Sequence, residues 1–165
     1  MKVSDELSFR NIELDDQAEL LRLRNTHSNL EFFKNPSPVS SEDHAEWFAS
    51  RITNFKELQI VAALSNRLIG IAFLVPFDNR SGSISINIDF EYQSRGIGQE
   101  LLTRMLSRAD SLGFTRIEAL IHISNPKSIS LFEKCGFILE DNISDLFNRY
   151  VKLTKQNTLT PFPKL

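Results

Sequence analysis

One segment narrows the choice of folds more than any other, because a strand, a glycine-bearing loop and a long helix follow one another without a gap. Residues 84–90 alternate apolar and polar side chains, which predicts a strand with one buried face. The loop holds Gly96 and Gly98, and apolar residues then recur at helical spacing until Gly113 ends the helix. Residues 115–123 predict the next strand, so the unit is a right-handed crossover between parallel strands.

The other periodic segments predict an α+β fold whose front half is an antiparallel sheet. Further strands are expected at residues 7–14, 58–64, 68–75, 137–140 and 146–153, with a hairpin turn at Ser65, Asn66 and Arg67. Helices are expected after Asp15 and Asp16, from a cap at Ser40, and from a cap at Asn125 to Cys135. The helix after Ser40 has apolar residues at Ala45, Phe48, Ile52 and Phe55. We expect a single domain over residues 1–154 and a tail over residues 155–165.

The composition argues against several classes of protein. The chain has 165 residues, of which 41% are hydrophobic, enough for a core without disulfides. Nineteen basic and twenty-one acidic residues give a net charge of −2, which is too balanced for tight binding of nucleic acid. One cysteine, Cys135, and 3 scattered histidines offer no metal-ligand spacing. Neither a signal peptide nor a membrane span is indicated, so a cytoplasmic protein is expected.

The loop before the long helix suits an anion. The first N–H groups of a helix have no internal acceptor, and the helix dipole favours negative charge there. Gly96 and Gly98 remove side chains at this point and Arg95 adds a positive charge, so a pyrophosphate would fit. A tight turn alone would also explain the two glycines. The P-loop pattern and the third glycine of a dinucleotide fingerprint are both missing from the sequence.

Two motifs in this part of the chain resemble those of one enzyme superfamily. Residues 93–98 (QSRGIG) match the Q/R-x-x-G-x-G/A loop of the GNAT acetyltransferases, and residues 125–137 look like their second motif, N-x-x-A-x-x-L-Y-E-K-x-G-F. The resemblance covers Ile84 to Phe137. It implies a mixed, mostly antiparallel sheet with one parallel βαβ crossover and helices on both faces. It also implies an enzyme that transfers an acetyl group from acetyl-CoA to a primary amine.

The resemblance further implies where acetyl-CoA binds. In the family, amides of the Q-x-x-G-x-G loop hold the pyrophosphate, the preceding strand runs beside the pantetheine arm, and the second motif supplies further contacts. Carried over to this chain, the expected cofactor-binding residues are Ile86, Asn87, Ile88, Gln93, Ser94, Arg95, Gly96, Ile97, Gly98, Gln99, Asn125, Ser128 and Phe132.

The implied reaction needs a neutral amine. An alkyl ammonium with a pKa of roughly 10.4 must first lose a proton, which costs on the order of 4 to 5 kcal/mol near pH 7. The candidate bases are Asp89, Glu91 and His122, of which His122 has the ordinary pKa nearest neutrality. A structural or surface role would explain each of them equally.

The second motif departs from the family at Phe132, where many relatives have a tyrosine that is assigned to protonate the departing thiolate. A phenylalanine cannot donate a proton. Solvent, Ser128 or Ser130 would then supply it, the thiolate would leave unprotonated, or the chain would bind acyl-CoA without efficient turnover. Cys135 is expected to be an inert thiol.

The acceptor is expected to bind to the front half of the chain. An R-N pair, a loop and an E-x-H-x-x-W helix are similar to N-acetyltransferases that act on nucleotide-linked aminosugars, which makes Arg24, Asn25, Phe33, His44 and Trp47 candidate substrate-binding residues. The same aromatic residues would also suit a core. Two alternatives are acetylation of protein N-termini or ribosomal proteins, favoured by the acidic residues Glu31, Glu42, Asp43 and Glu46, and a non-catalytic acyl-CoA-binding module. A homodimer is left open.

Overall fold

The computed structural model describes residues 6–54, 56–65 and 67–154, so that Phe55, Asn66 and the tail at 155–165 lie outside the described residues. The strands are β1 (Leu7–Arg10), β2 (Leu58–Leu64), β3 (Arg67–Pro76), β4 (Ser81–Ile88), β5 (Arg116–His122), β6 (Ile138–Asn142) and β7 (Phe147–Leu153). The helices are α1 (Gln17–Arg24), α2 (His27–Leu30), α3 (Ser41–Ile52), α4 (Ile97–Ser111) and α5 (Pro126–Lys134).

The strands form one mixed sheet in the order β1-β2-β3-β4-β5-β7-β6. Every neighbouring pair is antiparallel except β4 and β5, which are parallel and are connected through α4. The α+β fold with one parallel crossover is therefore confirmed.

The two faces of the sheet are covered by different helices, because strands β2 and β3 bury apolar side chains on both sides. One core contains α4 and α5, with Leu101, Met105 and Phe132 packed against Ile117. The other contains α1 and α3, with Leu23 and Phe48 packed against strands β2 and β3. Helices on both faces are confirmed, and the sheet lies between two cores.

Both helix caps expected from the sequence are present. The Ser40 hydroxyl accepts a hydrogen bond from the Asp43 amide at 3.1 Å, and α3 begins at the next residue. The Asn125 side chain accepts one from the Ser128 amide at 3.1 Å, and Pro126 occupies the first turn of α5. These local contacts satisfy amides that would otherwise lack an acceptor.

Two strand ends differ from the prediction for a reason that their contacts show, and one helix was not predicted. Strand β1 ends at Arg10 instead of residue 14, because Asp16 accepts two hydrogen bonds from the Arg10 guanidinium and one from the Glu13 amide, which bends the chain into a short 3-10 helix. Strand β4 ends at Ile88, because the Asp89 carboxylate caps a second 3-10 helix. Helix α2 lies in a segment expected to be a loop.

Among the described residues, no helix combines the length and the apolar character that crossing a bilayer requires.

Candidate active site

A wedge-shaped gap between β4 and β5 is the central feature of the site. The two strands pair only through residues 81–83 of β4 and 116–118 of β5. Beyond Ser83, β4 continues to pair with β3 as far as Ile88, whereas β5 continues to pair with β7 as far as His122. The part of β4 that contains Ile86, Asn87 and Ile88 therefore leaves its β5-facing edge without a partner strand among the described residues.

The loop over residues 93–98, called the phosphate loop below, lies at the open end of this gap and presents backbone amides to a ligand. Ser94 and Gly96 have positive φ values of 60° and 83°, and α4 begins immediately afterwards. Within the described part of the chain, no amide of residues 94–99 donates a hydrogen bond to a protein acceptor. A Cβ atom added to Gly96 would meet nothing within 4 Å, so the approach to these amides is open. The arrangement fits a pyrophosphate at the N-terminus of a 15-residue helix.

Gly98 has a different reason to be glycine. A Cβ atom at this position would lie 3.1 Å from Leu131 Cδ2, which is closer than ordinary van der Waals contact. Gly98 therefore allows the first turn of α4 to pack tightly against α5. Of the two loop glycines, one gives access to a ligand and the other allows close packing of two helices.

Asp89 lies beside the gap but is engaged in an ion-pair cluster. Its side chain is 4% exposed, and it accepts hydrogen bonds from Arg22 at 2.8 Å and from Arg67 at 3.0 Å. Burial alone would raise the pKa of this carboxyl, but the hydrogen bonds from Arg22, the Glu91 amide and Arg67 outweigh it, so the pKa is lowered. A carboxylate held in this way is a weak proton acceptor. Its contacts anchor the end of β4 to α1 and β3.

The other two candidate bases follow different strands, Glu91 after β4 and His122 at the end of β5. Glu91 is exposed and accepts from Arg67 at 3.2 Å. His122 lies at the end of β5, where its ring makes edge contacts with Phe32 and Phe147. The Ser124 amide donates to His122 Nδ1 at 3.1 Å, so the neutral ring has its proton on Nε2. The nitrogen that could accept a proton from an amine already accepts the Ser124 hydrogen bond.

The second motif lies on α5, partly in the core. Phe132 is 2% exposed and contacts Phe137 edge to face at a ring separation of 4.9 Å. Asn125 uses its carbonyl oxygen to cap α5, and its side-chain amide donates no hydrogen bond within the described residues. Cys135 is half-buried, and burial raises the pKa of its thiol despite the nearby Lys152 charge. A thiol with a raised pKa is a poor nucleophile.

A cavity of about 350 Å³ opens on the other side of β4. It brings together four of the five predicted substrate-binding residues, Arg24, Phe33, His44 and Trp47, with Ile86 and Asn87 of the predicted cofactor site. Asn25 does not line it. Instead, Asn25 makes two hydrogen bonds to the backbone of Val39, a lining residue, at 2.8 and 2.9 Å. The remaining lining residues are Leu20, Leu23, Val39, Arg51, Ile71, Phe73, Val75 and Ser85.

The charge in this cavity is positive and incompletely compensated. The lining includes Arg24 and Arg51 and no Asp or Glu. Arg51 forms an ion pair with the buried carboxylate of Glu57. Arg24 donates to the Asn35 carbonyl and lies over the Phe33 ring, and its buried Nη1 atom has no hydrogen-bond partner in the part of the chain that the structure describes. Burial lowers the pKa of Arg24. Burial and the Arg24 charge lower the pKa of His44, which favours the neutral ring at pH 7. Its Nδ1 atom has no hydrogen-bond partner among the described residues.

Several residues of the site were not identified from the sequence. Arg22 and Arg67 hold Asp89, Asn29 contacts the end of β4, and Phe73 supports Trp47 from β3. Each acts through a contact with a residue distant in sequence. A polar residue on a short helix or at a strand end carries no local pattern that would reveal such a contact.

Comparison with known proteins assigns the chain to a family. Residues 6–138 match the model of the acetyltransferase (GNAT) domain. The chain belongs to the GNAT acetyltransferase family. It is an acetyl-CoA-dependent N-acetyltransferase, and acetyl-CoA is its acetyl donor.

Relatives of this GNAT protein include acetyltransferases that are named for different substrates. The spermidine N(1)-acetyltransferase of Vibrio cholerae is 25% identical over 149 residues, covering 88% of this chain and 86% of the relative. An L-methionine sulfoximine/L-methionine sulfone acetyltransferase of Pseudomonas aeruginosa is 24% identical over 156 residues, covering 89% and 91%. The crystal structure of the Vibrio cholerae spermidine N-acetyltransferase with CoA and spermine has a TM-score of 0.78 and 25% identity, covering 89% of this chain and 95% of that one.

A negative charge placed at Gly96 tests whether the phosphate loop binds the pyrophosphate of CoA. We expect Gly96→Glu to weaken CoA binding at least tenfold, about 1.4 kcal/mol, because a carboxylate would lie where phosphate approaches. Isothermal titration calorimetry with CoA measures the change. Gly113→Glu is a matched control, since Gly113 has the same φ of 83° and equally open surroundings at the other end of α4. An unchanged affinity in Gly96→Glu would contradict the loop assignment.

The Asp89 cluster should contribute stability that depends on pH. We expect Asp89→Asn to lower the free energy of unfolding by about 2 kcal/mol at pH 7, because charge-assisted hydrogen bonds are lost. Since the folded-state pKa is lowered, the difference should be complete above about pH 4 and should vanish as the pH falls through the folded-state pKa. Urea unfolding at several pH values measures it. Glu91→Gln, at an exposed ion pair, is the control and should change little.

Proposed function

We propose that this enzyme acetylates the primary amine of a small molecule that also carries an anionic group, a carboxylate, phosphinate or phosphate. The observation that supports the proposal is the partly buried Arg24 guanidinium, which has no carboxylate partner among the described residues and whose buried Nη1 atom lines a cavity without acidic residues. An uncompensated buried charge is costly, and a guanidinium binds carboxylate or phosphate through paired hydrogen bonds. The nucleotide-linked aminosugar expected from the sequence is one compound of this class.

The cavity argues against a polyamine acceptor in this chain. A polyamine carries several ammonium groups, which bind to carboxylates and are repelled by arginine. The Vibrio cholerae relative is named for spermidine, whereas the amino-acid substrate in the name of the Pseudomonas aeruginosa relative contains a carboxylate. The charge of the cavity favours the second type of acceptor.

The same reasoning weighs against protein N-termini. A peptide acceptor was expected to need an acidic groove, and the acidic residues considered for it are Glu31, Glu42, Asp43 and Glu46. All four are exposed and none lines the cavity. The proposed acceptor is therefore a small molecule. A cytoplasmic location remains a prediction, and a second copy of the chain plays no part in the proposal.

In the proposed reaction, the amides of residues 94–99 bind the pyrophosphate and the free edge of β4 orients the pantetheine arm. The acetyl thioester is then directed into the gap beside β4, where Asn87 faces the acceptor cavity. The neutral amine attacks the thioester carbonyl, an N–C bond forms, and the C–S bond breaks to release the CoA thiolate. The nitrogen then loses its second proton, which passes to the thiolate or to water.

The proposal assigns no general base to Asp89, Glu91 or His122, because their polar atoms are engaged or exposed as described above. The cavity itself assists proton loss. Burial among apolar side chains lowers the pKa of a bound ammonium. A lower pKa reduces the free energy needed to form the neutral amine, and the proton then passes to water.

An acceptor panel tests the proposed class. We expect turnover with an amino acid such as methionine sulfoximine or with a nucleotide-linked aminosugar, and little turnover with spermidine or a peptide amine. Release of CoA thiol measures the rate. Arg24→Gln should raise KM for the anionic acceptor at least tenfold and leave KM for acetyl-CoA unchanged, since a hydrogen bond to a charged group is worth about 1.5 to 3 kcal/mol.

Arg24→Lys is the matched variant, because it keeps the charge but loses the paired hydrogen bonds, and its KM for the anionic acceptor should lie between those of wild type and Arg24→Gln. Fast turnover of spermidine, or equal KM values in wild type and Arg24→Gln, would overturn the proposed acceptor class while leaving the acetyltransferase assignment intact.

Phe132 offers a test of how the thiolate leaves. If protonation of the thiolate limits turnover, Phe132→Tyr should raise kcat by about tenfold, because a positioned proton donor accelerates such a step. Phe137→Tyr is the matched control, since it adds the same hydroxyl to the neighbouring buried ring. Steady-state kinetics with acetyl-CoA measures both. An unchanged kcat in Phe132→Tyr would mean that another step limits the rate.

A further inference from the structure

Asn29, on the short helix α2, lies at the centre of a hydrogen-bonded network that joins the wall of the acceptor cavity to the phosphate loop. Its side chain is almost completely buried, at 7% exposure. Asn29 Nδ2 donates to the Asn87 side-chain oxygen at 2.7 Å and to the Ile88 carbonyl at 3.0 Å. Asn29 Oδ1 accepts from Gln93 Nε2 at 3.1 Å.

Both ends of the network extend to functional elements. Gln93 Nε2 also donates to the Ile88 carbonyl at 3.2 Å, and Gln93 Oε1 accepts from Lys127 of α5 at 3.0 Å. On the other side, Asn87 Nδ2 donates to the Leu23 carbonyl of α1 at 3.2 Å, and Asn87 lines the acceptor cavity. One buried amide thus connects a cavity wall to the first residue of the phosphate loop.

The orientation of each amide group follows from its partners. The Ile88 carbonyl can only accept and the Lys127 ammonium can only donate, so Asn29 and Gln93 have one arrangement that satisfies both. A buried network with a single satisfied arrangement is rigid. It holds Gln93 at a fixed distance from the end of β4, and therefore fixes where the exposed amides of residues 94–99 begin.

We propose that Asn29 is a positioning residue for acetyl-CoA, acting through Gln93 and Ile88 on the geometry of the phosphate loop. Asn29 itself makes no hydrogen bond to the backbone amides of residues 94–99 within the described chain, and its effect on the cofactor passes through the Gln93 side chain. The proposal does not depend on which acceptor the enzyme uses, since it concerns the binding of CoA alone.

A double-mutant cycle tests the proposal with CoA as the probe and isothermal titration calorimetry as the measurement. We expect Asn29→Ala and Gln93→Ala each to raise the Kd for CoA about tenfold, the effect of losing roughly one net hydrogen bond. Because both act through the same contact, the double variant should be no more than about threefold weaker than either single variant. An unchanged Kd in Asn29→Ala, or the hundredfold loss that independent effects would give, would overturn the proposal.

Two further measurements separate positioning from a general loss of structure. Thermal unfolding of each variant shows whether it is folded under the binding conditions, and Asn29→Leu, which keeps the side-chain volume, replaces Asn29→Ala if the latter does not fold. Its Kd for CoA should rise by the same factor, and an unchanged value would again refute the proposal. Asn142→Ala is the matched control: it breaks an asparagine pair between β6 and β7, at 2.9 Å, and should leave the Kd within twofold of wild type.

Discussion

The separation of β4 from β5 after three paired residues is the constraint on which the site depends. On either side of this point the strands remain paired with other neighbours, β4 with β3 and β5 with β7, so the gap is built into the sheet itself. Backbone groups on the free edge of β4 need hydrogen-bond partners, and a bound molecule with amides of its own can supply them. The loop amides at the open end of the gap are in the same situation, which makes the whole edge a template for one extended cofactor.

The second half of β4 has no partner strand on the side that faces β5. Side-chain contacts at the end of the strand hold it in place instead. Asp89 is held by Arg22 and Arg67, and the Ile88 carbonyl accepts from Asn29 and Gln93. These contacts come from α1, β3, α2 and the phosphate loop. They replace the lateral support that a continuous ladder with β5 would give, and they give the ionisable and amide side chains at this strand end a structural role.

Much of the fold could be predicted because its signals are local. The stripe of α4 and the caps at Ser40 and Asn125 depend on neighbours within a few residues and were found where expected. The alternation of residues 84–90 is equally local, and it predicted β4 correctly as far as Ile88. Helix α2 was missed because four residues are too few to show a period. The roles of Asn29 and Asp89 depend on partners 58 and 67 residues away in sequence, which no local pattern encodes. The local sequence around an acidic residue at a strand end is the same whether the residue contacts an amine or two arginines.

The distribution of charge around β4 separates the two halves of the reaction. On the cofactor side, partial charges of backbone amides and a helix dipole suffice for a pyrophosphate, because its own negative charge supplies the rest of the attraction. On the acceptor side, a full charge on Arg24 lies in an apolar cavity, where the effective dielectric constant is low and charges of opposite sign attract strongly. A cation therefore enters that cavity at a cost, and an amine is favoured over its ammonium form. Under the proposed function, Arg24 selects the anionic group of the acceptor, and burial of the amine among the apolar side chains of the cavity promotes the neutral form that the thioester requires.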